Sequence, residues 1–402
     1  MKIGIIREGK TPPDSRVPLT PKQCRHIADN YPVQIKVQTS NGRCYTDEEY
    51  RAEGVEITDD VSDCEILMGV KEVPISRLVS DKTYFFFSHT IKKQAYNRDL
   101  LRAILQNNIR MIDYETLTDE RGKRLIAFGR FAGIVGAHNG VLTYGRRTGD
   151  FTLKRMKDCH DYAEAKAIYK TLQILPFKTV VTGTGRVSGG AVEVLDAMNI
   201  RHVTPKEFLK NNYDEAVYTQ LACADYARHK ANKNFDNPDF YANPQDYESI
   251  FAPYTKIADL MINGIYWDNR APQFFTKEDM KRSDFNISVI ADVTCDIAPI
   301  SSIPSTLHAS TIVDPIFGYD VEKEVVATPH QKGVVDMMTI DNLPNEMPRD
   351  ASESFGEQFL KSVLEELINS EKSAVIQRAT ITSNGELTSH FQYLSDYVHA
   401  TA

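Results

Sequence analysis

One tryptophan in 402 residues, six scattered cysteines and no basic block mark what this chain has little of. Each shortage excludes a class of protein. The cysteines (Cys24, Cys44, Cys64, Cys159, Cys223 and Cys295) form no C-x-x-C pair, and no histidine cluster stands near them at metal spacing. They read as free thiols, with neither a disulfide framework nor a metal site expected. A net charge of -8 without a basic patch speaks against nucleic acid and anionic membrane as partners. The densest basic stretch, Arg146 to Lys157, is interrupted by Asp150 and Asp158 and reads as a solvated face. There is no apolar run of about 18 residues, and Met1-Lys-Ile-Gly-Ile-Ile looks like a strand rather than a targeting segment, so a cytoplasmic location is expected. What remains is 42% apolar and 25% charged, the balance of a soluble globular protein, in a chain long enough for two or three domains.

Short apolar runs alternate with amphipathic segments through the first third. Strands are expected at Lys2 to Ile6, Val33 to Val37, Glu65 to Val70, Thr83 to Phe87 and Arg110 to Asp113, with helices at Pro21 to Asn30 and Lys93 to Gln106. A Gly- and Ala-rich stretch from Phe131 to Gly140 suits a closely packed crossover helix. Further strands are expected at Arg201 to Val203, Leu260 to Ile265, Ser288 to Val293 and Ser310 to Val313, and Ala351 to Ser370 has the period of a long helix. The polar, Tyr- and Asn-rich segment 213–254 reads as a helical and loop insertion of unassigned purpose. This alternation predicts an α/β protein of two Rossmann-like, doubly wound parallel-sheet domains with an inter-domain cleft. Residues 1–131 plus 336–402 would form a substrate domain, and 132–335 a dinucleotide-binding one.

The clearest motif is Thr179-Val-Val-Thr-Gly-Thr-Gly-Arg-Val-Ser-Gly-Gly, a strand running into a glycine turn and then a helix. Gly183 permits the turn, Gly185 admits a pyrophosphate, and the N–H groups of a helix starting near Arg186 face it. Thr184, Val187 and Ser188 complete the candidate phosphate loop, with Ser188 where the third glycine usually stands. An acid about 20 residues on would select NAD by binding the ribose 2′-hydroxyl. Thr204 occupies the end of the next expected strand, with Lys206 nearby, which favours NADP(H) while leaving NAD(H) open; Glu207 would restore the NAD preference if its loop folded back.

Proton-transfer groups are expected at the carboxyl ends of the first domain's strands, where parallel sheets bind ligands. Lys71 and Glu72 follow one strand, His89 another, and Arg16 lies in the loop after the first. Taken singly, a Lys-Glu pair after a strand is usually a surface ion pair and a histidine usually structural or solvated; together they come from three loops to one edge. An imidazole titrates near pH 6.5, whereas a lysine acts as a base only when desolvated or placed beside another cation. Glu72 would then modulate Lys71. Glu115 and Arg124 add charge at the end of a further strand, and Asp296 either faces the nicotinamide side or caps a helix.

These segments resemble the lysine-ketoglutarate reductase type of saccharopine dehydrogenase, within the alanine dehydrogenase and transhydrogenase family. The similarity is carried by Gly69-Val-Lys-Glu-Val-Pro, Phe86-Phe-Ser-His-Thr-Ile-Lys, Ile109-Arg-Met-Ile-Asp-Tyr-Glu, Ala127-Phe-Gly, the glycine turn, Ala252-Pro-Tyr-Thr, Ile262-Asn-Gly-Ile-Tyr-Trp and Ile340-Asp-Asn-Leu-Pro, and runs from about residue 1 to about 370. Arg16-Val-Pro-Leu-Thr-Pro is shared with alanine dehydrogenases. The resemblance implies reversible reductive condensation of L-lysine with 2-oxoglutarate to saccharopine through an imine. It implies Lys71 and His89 as the acid-base pair, Arg16, Lys92 and Arg124 as ligands of substrate carboxylates, and Asn342 and Leu343 beside the nicotinamide. It makes Ser188 a family variant of the turn. In animals and plants such a module is usually fused to a second dehydrogenase, which 402 residues are too few to hold. Alternatives are alanine dehydrogenase or another amino-acid or opine dehydrogenase, and a non-catalytic nucleotide-binding redox regulator. Oligomeric state stays open.

Overall fold

In a computed structural model, which describes residues 1–370 and 372–400, the chain divides into two units, 1–128 with 348–402 and 129–347. Six strands open the first unit: β1 (Lys2–Ile5), β2 (Gln34–Gln38), β3 (Glu56–Thr58), β4 (Ile66–Met68), β5 (Thr83–Phe86) and β6 (Arg110–Asp113). They pair in parallel in the order β3-β2-β1-β4-β5-β6. The order reverses beside β1, so the loops after β1 and β4 diverge and leave a crevice at their carboxyl ends.

The second unit holds β7 (Lys178–Thr182), β8 (Arg201–His202), β9 (Val217–Leu221), β10 (Ala227–His229), β11 (Tyr247–Ser249), β12 (Leu260–Asn263), β13 (Val289–Asp292), β14 (Ile316–Asp320), β15 (Val325–Ala327) and β16 (Val334–Met338). Its main sheet runs β15-β14-β16-β13-β12-β7-β9-β8, antiparallel only at β14 and β15, while β10 and β11 form a separate antiparallel pair. The chain then returns to the first unit, where β17 (Thr380–Ser383) pairs antiparallel with β6, and β18 (Glu386–Leu387) with β17.

Several expectations need correction. Residues 310–313 are a loop touching Ile340 through one bridge, and the strand lies later, at β14. Residues 336–347, expected in the first domain, lie in the second unit because β16 pairs with β13. The expected helix 351–370 is two helices, Pro348–Ser362 and Leu364–Ile368, broken at Val363. The segment 213–254 contains β9, which lies between β7 and β8 within the main sheet.

Packing explains the glycine-rich crossover. Five glycines in the helix Gly129–Thr148 each lower intrinsic helix stability by about 1 kcal/mol relative to alanine. At Gly133 the cause is backbone meeting backbone: a Cβ there would sit 1.7 Å from the Val187 carbonyl oxygen, and one on Gly190 of the facing helix Arg186–Ala197 2.0 Å from that of Arg130. In the first unit the helix Pro348–Ser362 buries Phe355 and Phe359 among Ile3, Ile5, Met68 and Phe85, and Phe355 stacks on Phe128 at 4.5 Å.

Candidate functional site

Three chain segments meet at the carboxyl edge of the first sheet. The loop after β1 supplies Glu8, Lys10, Asp14 and Arg16, the turn after β4 supplies Lys71 and Glu72, and the turn after β5 supplies His89. Glu72 bridges two of them, accepting from Lys10 Nζ at 2.9 Å and lying 2.6 Å from His89 Nδ1. Burial works to raise the Glu72 carboxyl, but the bond and charge of His89, with Lys10, outweigh it and hold the group at about 2. His89 itself sits in the left-handed region at φ 53°, sparsely occupied by residues other than glycine. Its turn is pinned from beneath: Ser88 donates both N–H and Oγ–H to buried Asp113, at 2.9 and 2.5 Å. Burial pushes the Asp113 carboxyl up, against those bonds. With Nδ1 held by Glu72, Nε2 is turned to the opposite side of the ring.

Lys71 is lowered to about 8, first by burial and then by the positive charge of Arg16; Lys10 adds to this, while Asp14 and Glu72 oppose it. Glu8 lies below the same turn, accepting the N–H groups of Val70 and Lys71 at 2.6 and 2.9 Å. Burial lifts Glu8 to about 7, although the two N–H bonds pull the other way. Arg16 is buried, donates from Nε to Asp14 at 3.0 Å and covers the Phe128 ring at 4.2 Å. Arg7, Lys10, Arg16 and Arg77 share with Glu8 and Asp14 the wall of a cavity of about 220 Å³. Glu8, Lys10 and Asp14 were missed by sequence reasoning; the signal was the density of charge in Arg7-Glu-Gly-Lys and Asp14-Ser-Arg directly after a strand.

Lys92, Glu115 and Arg124 form a neighbouring cluster, with Lys92 at 3.9 Å and Arg124 at 3.5 Å from Glu115 Oε1. Glu115 Oε2 is buried without a hydrogen-bond partner. Phe87 connects the clusters, since His89 stacks on its ring at 6.5 Å and Arg124 lies 6.0 Å from its centre.

In the second unit the glycine turn has the expected form. Gly183 adopts φ 92° and gives its N–H to Leu221 O at 2.8 Å, while Gln220 Nε2 donates to its carbonyl at 3.0 Å. Gly185 caps the helix Arg186–Ala197, and a Cβ there would meet nothing within 4 Å, which leaves room for a phosphate against the Gly185 backbone. Thr184 lines the same opening. Ser188 is buried and bonds back to Gly185 O at 3.2 Å. The close helix-to-strand approach that a third glycine normally permits comes from Gly264 after β12, where a Cβ would lie 3.2 Å from Ser188 N and from Val187 Cγ1. These residues fit a dinucleotide pyrophosphate.

Other expected contacts fall elsewhere. β8 is an edge strand paired only with β9, so Thr204 lies one strand away from the neighbour of the glycine turn. It caps the helix Pro205–Lys210 in a reciprocal pair with Glu207, which occupies that carboxylate. No helix follows Asp296, which excludes the capping role; the residue sits in the loop after β13. Asn342 precedes the 3₁₀ turn Leu343–Glu346, and the Leu343 side chain is buried near Gly136. The turn is anchored by Glu346, which receives Asn139 at 3.0 Å and Arg155 at 2.9 Å. No helix among the described residues is long and apolar enough to cross a membrane.

Residues 4–135 match the family model described as the N-terminal domain of alanine dehydrogenase/PNT. The chain carries a domain of that family. It is 31% identical to mouse (Mus musculus) alpha-aminoadipic semialdehyde synthase, over 98% of this chain and 47% of that protein, and so spans about half the length of that relative. A saccharopine dehydrogenase [NAD(+), L-lysine-forming] of Yarrowia lipolytica is 26% identical, over 91% of this chain and 92% of its own. Among solved structures an L-alanine dehydrogenase superimposes with TM-score 0.67 at 17% identity, over 99% of this chain and 100% of that one, which shows a shared fold.

Proposed function

We propose that the protein is a nicotinamide-dependent oxidoreductase of the saccharopine dehydrogenase (L-lysine-forming) type. It joins L-lysine to 2-oxoglutarate reductively, or runs the reaction backwards. The observation that carries this reading is the Lys71–Glu72–His89 group on the edge of the first sheet, where a depressed lysine stands beside a carboxylate-held histidine. Similarity to the mouse and Yarrowia proteins over more than nine-tenths of the chain supports it.

Condensation requires the substrate ε-ammonium to lose a proton and the keto oxygen to leave as water. Lys71, near 8, is neutral often enough at physiological pH to accept the first proton. His89, its Nδ1 fixed by Glu72, delivers a proton from Nε2 to the departing oxygen. Arg16 and its cationic neighbours draw the carboxylates of 2-oxoglutarate to this edge, and Arg124 and Lys92 hold those of lysine or the product. Gly183 to Ser188 would hold the cofactor's pyrophosphate, and its nicotinamide, when bound, supplies the hydride that reduces the imine carbon.

The test follows NADH and NADPH oxidation at 340 nm with lysine plus 2-oxoglutarate, and separately with pyruvate plus ammonia. Turnover with the first pair is expected. Its absence, or faster turnover with the second, would replace this reading with an alanine dehydrogenase one.

A further inference from the structure

The turn that presents His89 is held from two sides, and one of the holds comes from a segment some three hundred residues further along the chain. His89 and Lys93 bracket the 3₁₀ turn Thr90–Lys92, and both lie in the left-handed region, at φ 53° and 55°. Two residues with side chains in that region cost free energy, which neighbouring contacts have to offset. Ser88 and Asp113 supply those contacts on the sheet side. On the other side the strap 89–97 meets the segment that follows β18, made of the 3₁₀ turn Ser389–Leu394 and the short helix Ser395–His399.

Hydrogen bonding, ring contacts and apolar packing join the two. Tyr397 donates its hydroxyl to the Gln94 carbonyl at 2.5 Å, and the same carbonyl accepts the Asn97 N–H at 3.0 Å, so both of its lone pairs are used within the strap's own turn. Tyr397 is buried, and burial raises its hydroxyl above the ordinary phenol value, which keeps it a donor. Lys93 Nζ lies 5.2 Å from the centre of the Tyr393 ring, and the Arg98 guanidinium 5.4 Å from that of Tyr397. Ile91, within the strap, packs against the apolar cluster that contains Phe391, Leu394 and Tyr397. A different side chain fastens the segment to the helix Arg98–Gln106: Arg102 donates to the Val398 carbonyl at 2.7 Å and to that of Ala400 at 2.5 Å. The Tyr397 hydroxyl is therefore spent on the strap itself.

Resting on the reading of His89 as proton donor and Lys92 as a carboxylate ligand, we infer that segment 389–399 clamps the strap that carries both, with Tyr397 a positioning residue acting through the Gln94 carbonyl. The clamp and the Ser88–Asp113 bonds then hold opposite ends of one short piece of backbone, and His89 is aimed by both.

Tyr397→Phe keeps the ring and its packing and removes only the hydroxyl. Its amide hydrogen exchange would be compared with that of Arg102→Gln, which frees the end of the segment from the helix but leaves the Gln94 bond. In Tyr397→Phe the amides of Lys92, Lys93 and Asn97, which donate to the carbonyls of His89, Thr90 and Gln94, are expected to exchange about three- to ten-fold faster. With lysine and 2-oxoglutarate kcat should fall about three-fold or more, while the KM for the nicotinamide cofactor stays within about two-fold. Arg102→Gln should leave exchange in the strap within about two-fold of the unsubstituted protein. Unchanged strap exchange in Tyr397→Phe, equal acceleration in both variants, or faster exchange with an unaltered kcat overturns the inference. Absence of turnover in the unsubstituted protein would remove the reaction proposed above, and the exchange contrast between the two variants would still decide whether the clamp exists.

Discussion

The two sheets present the same kind of edge, the carboxyl ends of parallel strands, and furnish it in opposite ways. The first carries Glu8, Lys10, Asp14, Arg16, Lys71, Glu72 and His89, several of them buried and displaced in pKa by burial and by one another. The second offers a glycine turn at Gly183 and Gly185 beside a cavity lined by Tyr226, Tyr241, Tyr266 and Trp267, with the paired carboxylate Asp268. A cofactor that is held and released intact is served by glycine turns and ring faces, whose affinity does not depend on a proton. A reaction that moves protons needs groups whose charge can change, and burial tunes them. Under the proposed function, proton transfer falls to one unit and cofactor binding to the other.

Variants that separate the units test this most severely. Lys71→Met and His89→Ala are each expected to lower kcat by on the order of 10² or more in steady-state assays with lysine and 2-oxoglutarate. Near-normal turnover in both would remove the acid-base assignment. Gly133→Ala, whose methyl would strike the Val187 carbonyl, should destabilise the second unit by about 1–3 kcal/mol, seen as a shift in denaturant midpoint.

Smaller effects sharpen the electrostatics of the first edge. If neutral Lys71 is the base, activity rises as pH increases through about 8. Arg16→Gln removes a charge that lowers Lys71 and should move this limb up, while Glu72→Gln removes one that raises Lys71 and should move it down; pH profiles of kcat/KM read both. Acid stability follows Glu72. Its carboxyl, at about 2 in the fold against an ordinary 4.5, binds fewer protons folded than unfolded as pH falls between those values. The stabilisation is complete above pH 4.5 and lost as pH falls through 2, so urea midpoints over that range should flatten in Glu72→Gln.

Much of this was legible in the residues. β1, β5 and β6 stand where short strands were expected, the helix Pro21–Asn30 begins at a threonine cap followed by proline, and the glycine turn was visible outright. Lys71, Glu72, His89 and Arg16 were placed at one sheet edge because strand ends can be counted. What escaped depended on strand order, which no local pattern carries. Val217-Tyr-Thr-Gln-Leu has a strand's composition, but its polar surroundings hid it inside an insertion, and its place beside β7 puts Ala222 and Cys223, not Thr204, at the end of the strand next to the glycine turn. Ser188 lacked an explanation in the motif because Gly264, its complement, lies 76 residues away in the chain. Glu8 and Asp14 gained their importance from burial.

The division between the units is tested most directly by one titration: NADH binding to the Lys71→Met, His89→Ala double variant, read from Trp267 fluorescence. The account predicts an affinity within about two-fold of the unsubstituted protein, in a variant without measurable turnover. A loss of ten-fold or more, with the fold intact, would show that the first edge helps to hold the cofactor and would contradict the separation of binding from proton transfer.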